Sequence, residues 1–165
     1  MTSPSSVPSI EIRLASVADA GLLAELNDFV HSVHALNRPD IFRSDPAPSE
    51  VAPIFESHLA REDIRVFIAS SSGRSVGYAM MLLIERSGDA LMRPRAFALL
   101  EHLAVASTAI RMGVGTALVD AVHTAAKNAG CSRLLTEVWD FNQEASTFYQ
   151  SAGFTPMRHY LEQAL

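Results

Sequence analysis

The sequence predicts a mixed-sheet α/β fold, and three observations carry that prediction. Strand-like and helical stretches interleave along the chain without the strict alternation that a wholly parallel sheet demands. The run FALLEHLAV at 97–105 is apolar on both faces, as expected of a central strand covered on both sides. The composition is globular, with 48% hydrophobic and 19% charged residues over 165 positions, enough for one sizeable core.

The elements follow in order. Residues 1–9, polar and with no apolar segment, read as a loose tail ahead of one domain at 10–165. Ile10, Ile12 and Leu14 alternate with Glu11 and Arg13, the period of a half-buried strand. Ser16 and Asp19 then stand at capping-box spacing, with Asp in place of the usual Glu or Gln. Leu22, Leu26, Phe29 and Val33, with Leu23 and Val30 beside them, form the apolar face of a helix that Pro39 stops. After the break DPAP at 45–48, a short helix is expected with Val51, Ile54, Phe55, His58 and Leu59 on one side.

Two strands at 65–69 and 75–86 flank SSSGR, whose Ser and Gly accept hairpin-turn angles. A polar, proline-containing loop at 86–95 leads to the central strand at 97–105. A helix follows with Val114, Ala117, Leu118, Ala121, Val122 and Ala125 at helical spacing, and Gly130 is its left-handed stop. A strand at 133–139, a helix over 142–152 closed by Gly153, and short strand-like pieces around Phe154 and Tyr160 complete the chain.

Charge and cysteine content narrow the function classes. A formal net charge of −5 lacks the basic face that nucleic acid requires. No apolar run approaches the ~18 residues of a membrane span, and the N-terminus has no signal-peptide pattern. A single cysteine, Cys131, fits a reducing compartment, and the expected location is cytoplasmic. Cys131 is expected to be a small core residue, since it precedes a hydrophobic strand. No Cys/His pair has zinc-site spacing, and His31, His34 and His58 are expected as polar tips at helix edges rather than metal ligands.

The main chemical signal is the segment 105–116, where a buried strand ends, the chain turns through Gly113 and Gly115, and an apolar-faced helix begins. The first turn of a helix leaves backbone N–H groups without partners at the positive end of the dipole. Glycine lets an anion approach that backbone, so the unit suits a pyrophosphate. Arg111 adds a cation, and no acidic side chain intervenes before Asp120. The P-loop pattern is absent, and the third glycine of the dinucleotide fingerprint is missing.

Downstream stands Asn142-Gln-Glu-Ala-Ser-Thr-Phe-Tyr-Gln-Ser-Ala-Gly-Phe154. Taken with the glycine loop, it resembles the paired signatures of the GNAT superfamily of acyl-CoA-dependent N-acyltransferases. Those are a strand ending in Leu-x-Val followed by [QR]-x-x-G-x-[GA], and N-x-x-A-x-x-F-Y-x-x-x-G-F. Every fixed position of the second is met. The first departs at Ile110, where the family usually has Arg or Gln; Arg111 stands one residue along, and its substitution for that side chain is left open.

The resemblance implies a mixed, mostly antiparallel, twisted sheet with flanking helices, and acetyl-CoA as acyl donor. The backbone of Leu103, Ala104 and Val105 would pair with the pantetheine arm as an extra strand does. The backbone of Arg111, Met112, Gly113, Val114, Gly115 and Thr116 would hold the pyrophosphate, and Asn142 would bond the pantetheine arm. Tyr149, the tyrosine of the Phe-Tyr pair, would protonate the leaving thiolate. Glu101 is the candidate base, acting through a water on the substrate ammonium. His102, with the opposite facing and a pKa suited to the task, competes with it, and Glu137 is weaker than either.

His34 and Phe42 lie where the family's variable first helices wall the acceptor pocket, and Trp139 and Phe141 are candidates for the same cleft. The expected reaction is direct transfer in a ternary complex, because Cys131 lies away from the cleft. The overall acidity favours a cationic acceptor, a small-molecule or protein amine. Family members often dimerise, so a homodimer is allowed. A non-catalytic acyl-CoA-binding module is the alternative function.

Overall fold

A computed structural model describes residues 9–165; most of the expected tail at 1–9 lies outside the described residues. Strand β1 (Ile10–Leu14) is followed by a 3-10 turn at Val17–Asp19 and helix α1 (Ala20–Asn37). The backbone N–H of Ser16 donates to Asp19 Oδ2 at 2.8 Å, so aspartate supplies the return bond of the expected cap. Helix α2 (Pro48–Leu59) begins with proline in its first turn and the N–H of Ala47 bonded to Glu50. Strands β2 (Ile64–Ser71) and β3 (Arg74–Arg86) form a hairpin over Ser72 and Gly73, both at positive φ. Two consecutive positive φ values make the turn whose twist matches that of the flanking strands. Then come β4 (Arg95–Val105), α3 (Val114–Asn128), β5 (Leu134–Thr136) and α4 (Gln143–Ser151).

The five strands are hydrogen-bonded in sequence order, antiparallel except that β4 and β5 run parallel. This is the mixed, mostly antiparallel sheet expected. Because strand side chains alternate, β2 and β3 feed two cores. Val66, Ile68, Tyr78 and Met80 pack with Leu23, Leu26 and Phe55 of α1 and α2. Ala79 and Met81 pack on the other face with Val114, Leu118 and Val122 of α3.

Several local expectations are corrected. Phe29 and Val33 are exposed; the stripe that α1 buries runs instead through Ala20, Leu23, Ala24, Leu26 and Ala35. Ile54 is exposed too, because α2 turns Phe55 inward. The strand expected at 133–139 shrinks to Leu134–Thr136, its parallel pairing with β4 ending at Leu100–Thr136. No strand forms around Phe154 or Tyr160, and Met157, Tyr160 and Leu161 are exposed. That segment is held by side chains: Arg158 pairs with Glu137, and Glu162 with Arg38.

Candidate active site

The site begins where β5 stops. Beyond Leu100 the outer edge of β4 loses its neighbour, while Leu103, Ala104 and Val105 stay paired on the inner edge with Ala79, Tyr78 and Gly77. The sheet therefore opens into a gap flanked by the last residues of β4. A bulge sits at the mouth of this gap. Met80 lies opposite His102 and Met81 opposite Leu100, so Glu101 is the extra residue on β4.

The bulge corrects the expectation that Glu101 and His102 face opposite ways. Both address the α2 side of the sheet: the Arg61 guanidinium just past α2 has its pKa raised first by its bond to Asp63 and last by the charge of Glu101, and the His102 ring stands edge-on to Phe55 at 6.2 Å. Glu101 itself is exposed, as a base working through water must be. His102 is half-buried, and burial first, then the neighbouring His58 and His34, hold its pKa down at about 4. Its ring is therefore neutral at pH 7. Glu137, one residue past β5, is exposed and pairs with Arg158.

On the opposite face, the glycine loop takes the shape that the sequence suggested. Gly113 caps α3 at φ 83°, Arg111 is held at φ 63°, and no side chain caps the helix or places an acid in its first turn. A non-glycine residue in the left-handed region costs about 1 kcal/mol, so the surrounding loop imposes that angle on Arg111. Arg111 and Met112 are exposed, and Ile110 lies with them on the surface. Gly115 has another reason to be glycine. A Cβ there would lie 3.2 Å from the Phe148 ring, so the missing side chain lets α4 pack on α3. The uncapped N–H groups of Val114 to Thr116 and the open backbone around Gly113 fit a pyrophosphate, and nothing acidic in the first turn opposes it.

Asn142 is the N-cap of α4 rather than its first residue, and its Oδ1 accepts from Ala145 N at 3.1 Å. The carbonyl end is thus committed to the helix, and the amide NH2 is the end left for a ligand. Tyr149 is wedged edge-on between Phe148 and Phe154, each ring 5.3 Å away. Burial pushes its phenol pKa up, while the neighbouring Thr136 hydroxyl pulls the other way. Thr136 is the last residue of β5, and it donates to Leu100 O at 3.0 Å. The phenol therefore lies beside the end of β5, where the gap begins, and stays protonated at neutral pH.

The weakly assigned pair His34 and Phe42 is brought together, stacked at 5.1 Å. Trp139 stands edge-on to Phe42 at 5.7 Å and stacks on Phe141 at 5.8 Å, making one aromatic cluster between the end of α1 and the segment after β5. Arg38 lies over Trp139 at 5.3 Å, held by Asp40 and Glu162. His31 is taken up by Arg43 O at 2.7 Å, and the enclosed Nδ1 of His58 has no partner. Cys131 is half-buried against the α3 core, and burial, then Glu85, raises its thiol pKa, contrary to what a nucleophile needs.

Two features were missed. A cavity of about 420 Å³ opens between α1 and α2, lined by Glu25, Asn27, Asp28, His31 and Asp45 among others. Tyr78, fully buried, bonds Asn27 of that cavity and His102 of β4. The available signals were a tyrosine inside an apolar strand, whose hydroxyl must find a partner, and an asparagine beside the buried stripe of α1.

Known proteins share this fold. Residues 30–154 match the Acetyltransferase (GNAT) family. An aminoglycoside N(6')-acetyltransferase type 1 from Klebsiella aerogenes is 28% identical over 107 residues, covering 65% of this chain and 69% of that protein. The crystal structure of a point mutant of the BH1408 protein from Bacillus halodurans superposes with a TM-score of 0.85 at 27% identity, covering 94% of this chain and 99% of that one. The fold is also that of aminoglycoside N-acetyltransferase AAC(6')-Iy, solved in complex with CoA, with a TM-score of 0.75 at 18% identity and 99% of each chain covered. No helix among the described residues is long and apolar enough to cross a membrane. With the two motifs folded onto one gap and the family matched across its core, this chain belongs to the GNAT family of acetyltransferases and is an acyltransferase with acyl-CoA as co-substrate.

Proposed function

We propose that the chain transfers the acetyl group of acetyl-CoA directly to a primary amine of a small, cationic molecule. The observation that carries this is the two-sided gap. The glycine loop lies on the α3 face and β4 separates from β5 beyond Leu100; on the α1/α2 face, tied to β4 through Asn27 and Tyr78, an acid-lined cavity opens beside α1. Glu25, Asp28 and Asp45 suit an acceptor with several positive charges. Similarity to an aminoglycoside acetyltransferase points the same way.

In this reading the loop from Arg111 to Thr116 holds the donor's pyrophosphate through backbone N–H groups. Leu103 to Val105 and the Asn142 amide align the pantetheine arm along the free edge of β4. When bound, the donor supplies a thioester carbonyl carbon open to attack. Glu101, exposed at the bulge, takes a proton through water from the incoming ammonium, and Tyr149 gives one to the departing sulfur. His34 and Phe42, with Trp139 and Phe141, shape the acceptor entrance.

The test is thiol release from acetyl-CoA with a panel of aminoglycosides, polyamines, amino acids and peptide N-termini. Release well above hydrolysis with a polycationic small molecule is expected. Silence across the small amines with turnover on peptides would move the acceptor to protein. Silence across the whole panel would remove amine transfer.

A further inference from the structure

Tyr78 lies on the central hairpin with 0% of its surface exposed, inside an otherwise apolar core. A buried phenol needs partners, and this one has two. Its hydroxyl donates to Asn27 Oδ1 at 2.9 Å, and its oxygen lies 2.9 Å from His102 Nδ1. A hydroxyl has one hydrogen. With that hydrogen given to Asn27, the oxygen can only accept from His102, so the imidazole hydrogen sits on Nδ1. Nε2 then carries the lone pair. Phe55 stands edge-on to both rings, at 5.6 Å and 6.2 Å, and holds the chain Asn27–Tyr78–His102 in register.

The chemistry of transfer gives Nε2 a task. An ammonium acceptor must shed two protons before it becomes an amide. The first leaves before attack, when the nitrogen lone pair is freed, and the exposed Glu101 serves that step. The second leaves after the carbon–nitrogen bond has formed, when the nitrogen is cationic again and more acidic than a free ammonium. A weakly basic imidazole that is neutral in the resting enzyme suits the second step. His102 sits on β4 next to the bulge, where β5 has already departed.

We propose that Asn27 and Tyr78 are positioning residues of the transfer reaction, fixing His102 as the Nδ1–H tautomer so that Nε2 accepts the second proton of the acceptor nitrogen. The carbon–nitrogen bond forms as the carbon–sulfur bond breaks. The nitrogen proton passes to Nε2, and the sulfur leaves with the Tyr149 proton. The groups around the ring are His34 from α1, His58 from α2, Tyr78 from β3 and Glu101 beside it on β4. The assignment rests on the proposed amine transfer, but the tautomer is read without turnover.

Nitrogen-15 NMR of the histidine rings in the full chain provides that measurement. Wild type should show His102 neutral and protonated at Nδ1. Tyr78→Phe, which keeps the ring and its packing, should lose that preference. Asn27→Asp retains an acceptor oxygen and should keep the tautomer, whereas Asn27→Leu should not.

In turnover, Tyr78→Phe should lower kcat about tenfold to a hundredfold with the acetyl-CoA Kd unchanged. His102→Gln should lower it by a similar factor, and the double variant no further than either, because Tyr78 acts through the ring. An Nε2–H imidazole in wild type overturns the positioning whether or not an acceptor has been found. So does a double variant whose losses multiply. Inactivity toward every amine, with the Nδ1–H tautomer intact, strikes the transfer role and the proposed reaction together.

Discussion

In the proposed reaction, the two faces of the sheet would recognise their ligands by different means. On the α3/α4 face the working groups are main-chain N–H groups at a helix start, a left-handed glycine and the open edge of a strand. On the α1/α2 face they are side chains: three acids and an asparagine around a cavity, an aromatic cluster, and a tyrosine–histidine pair. Backbone recognition constrains sequence at fixed spacings, because only particular residues permit the required φ and the required close approach. Side-chain recognition constrains only the point in space that a group must reach, and many positions can reach it. The first face is therefore written in motifs, and the second becomes visible once the chain is folded.

That contrast can be broken from either side, and the largest effect should come from the apex where the faces meet. Tyr149→Phe should cut kcat at least about a hundredfold in a thiol-release assay while leaving acetyl-CoA affinity as in wild type. A variant as fast as wild type would take Tyr149 out of the mechanism.

Next comes the donor face. Gly113→Asp places a Cβ at φ 83° and a negative charge at the helix start. It should weaken acetyl-CoA binding by roughly tenfold to a hundredfold in calorimetry, through strain and dipole together. Unchanged affinity would move the pyrophosphate elsewhere.

The smallest effect belongs to the acceptor face and is read in stability. The His102 pKa falls from 6.5 to about 4 on folding, so between these values the unfolded chain binds the extra proton. Stability from this residue is then present above pH 6.5 and lost as pH falls toward 4. Thermal melts should show the Tm gap between wild type and His102→Gln changing in favour of the variant across this window. A gap independent of pH would mean that the ring is not held neutral by its surroundings.

The same division explains what sequence reasoning reached. The strand–loop–helix unit and the hairpin at Ser72–Gly73 follow from local rules and the structure has both, while the helix expected from Asn142 starts one residue later with Asn142 as its cap. Phe29, Val33 and Ile54 were misplaced because their helices roll to bury Leu23 and Phe55, a choice made by neighbours distant in sequence. The strand expected at 133–139 was too long for the same kind of reason. Its apolar run continues into Trp139, but that side chain joins the aromatic cluster instead of the ladder. The relay from Asn27 to His102 joins three elements, so no window of sequence contains it.

The unpaired residue at Glu101 has a consequence for how this strand can vary. Along a regular strand, neighbouring side chains fall on opposite sides, and a deletion or insertion of one residue would exchange them. Here the extra residue is what lets an acid and an imidazole, adjacent in the chain, lie on the same side. Removing Leu99 or Leu100 would restore regular pairing and yet place Glu101 and His102 on opposite sides of the sheet. A change in the length of this strand would therefore disturb both side chains at once, whereas a substitution alters one. In the proposed mechanism, residue count on this strand matters as much as residue identity.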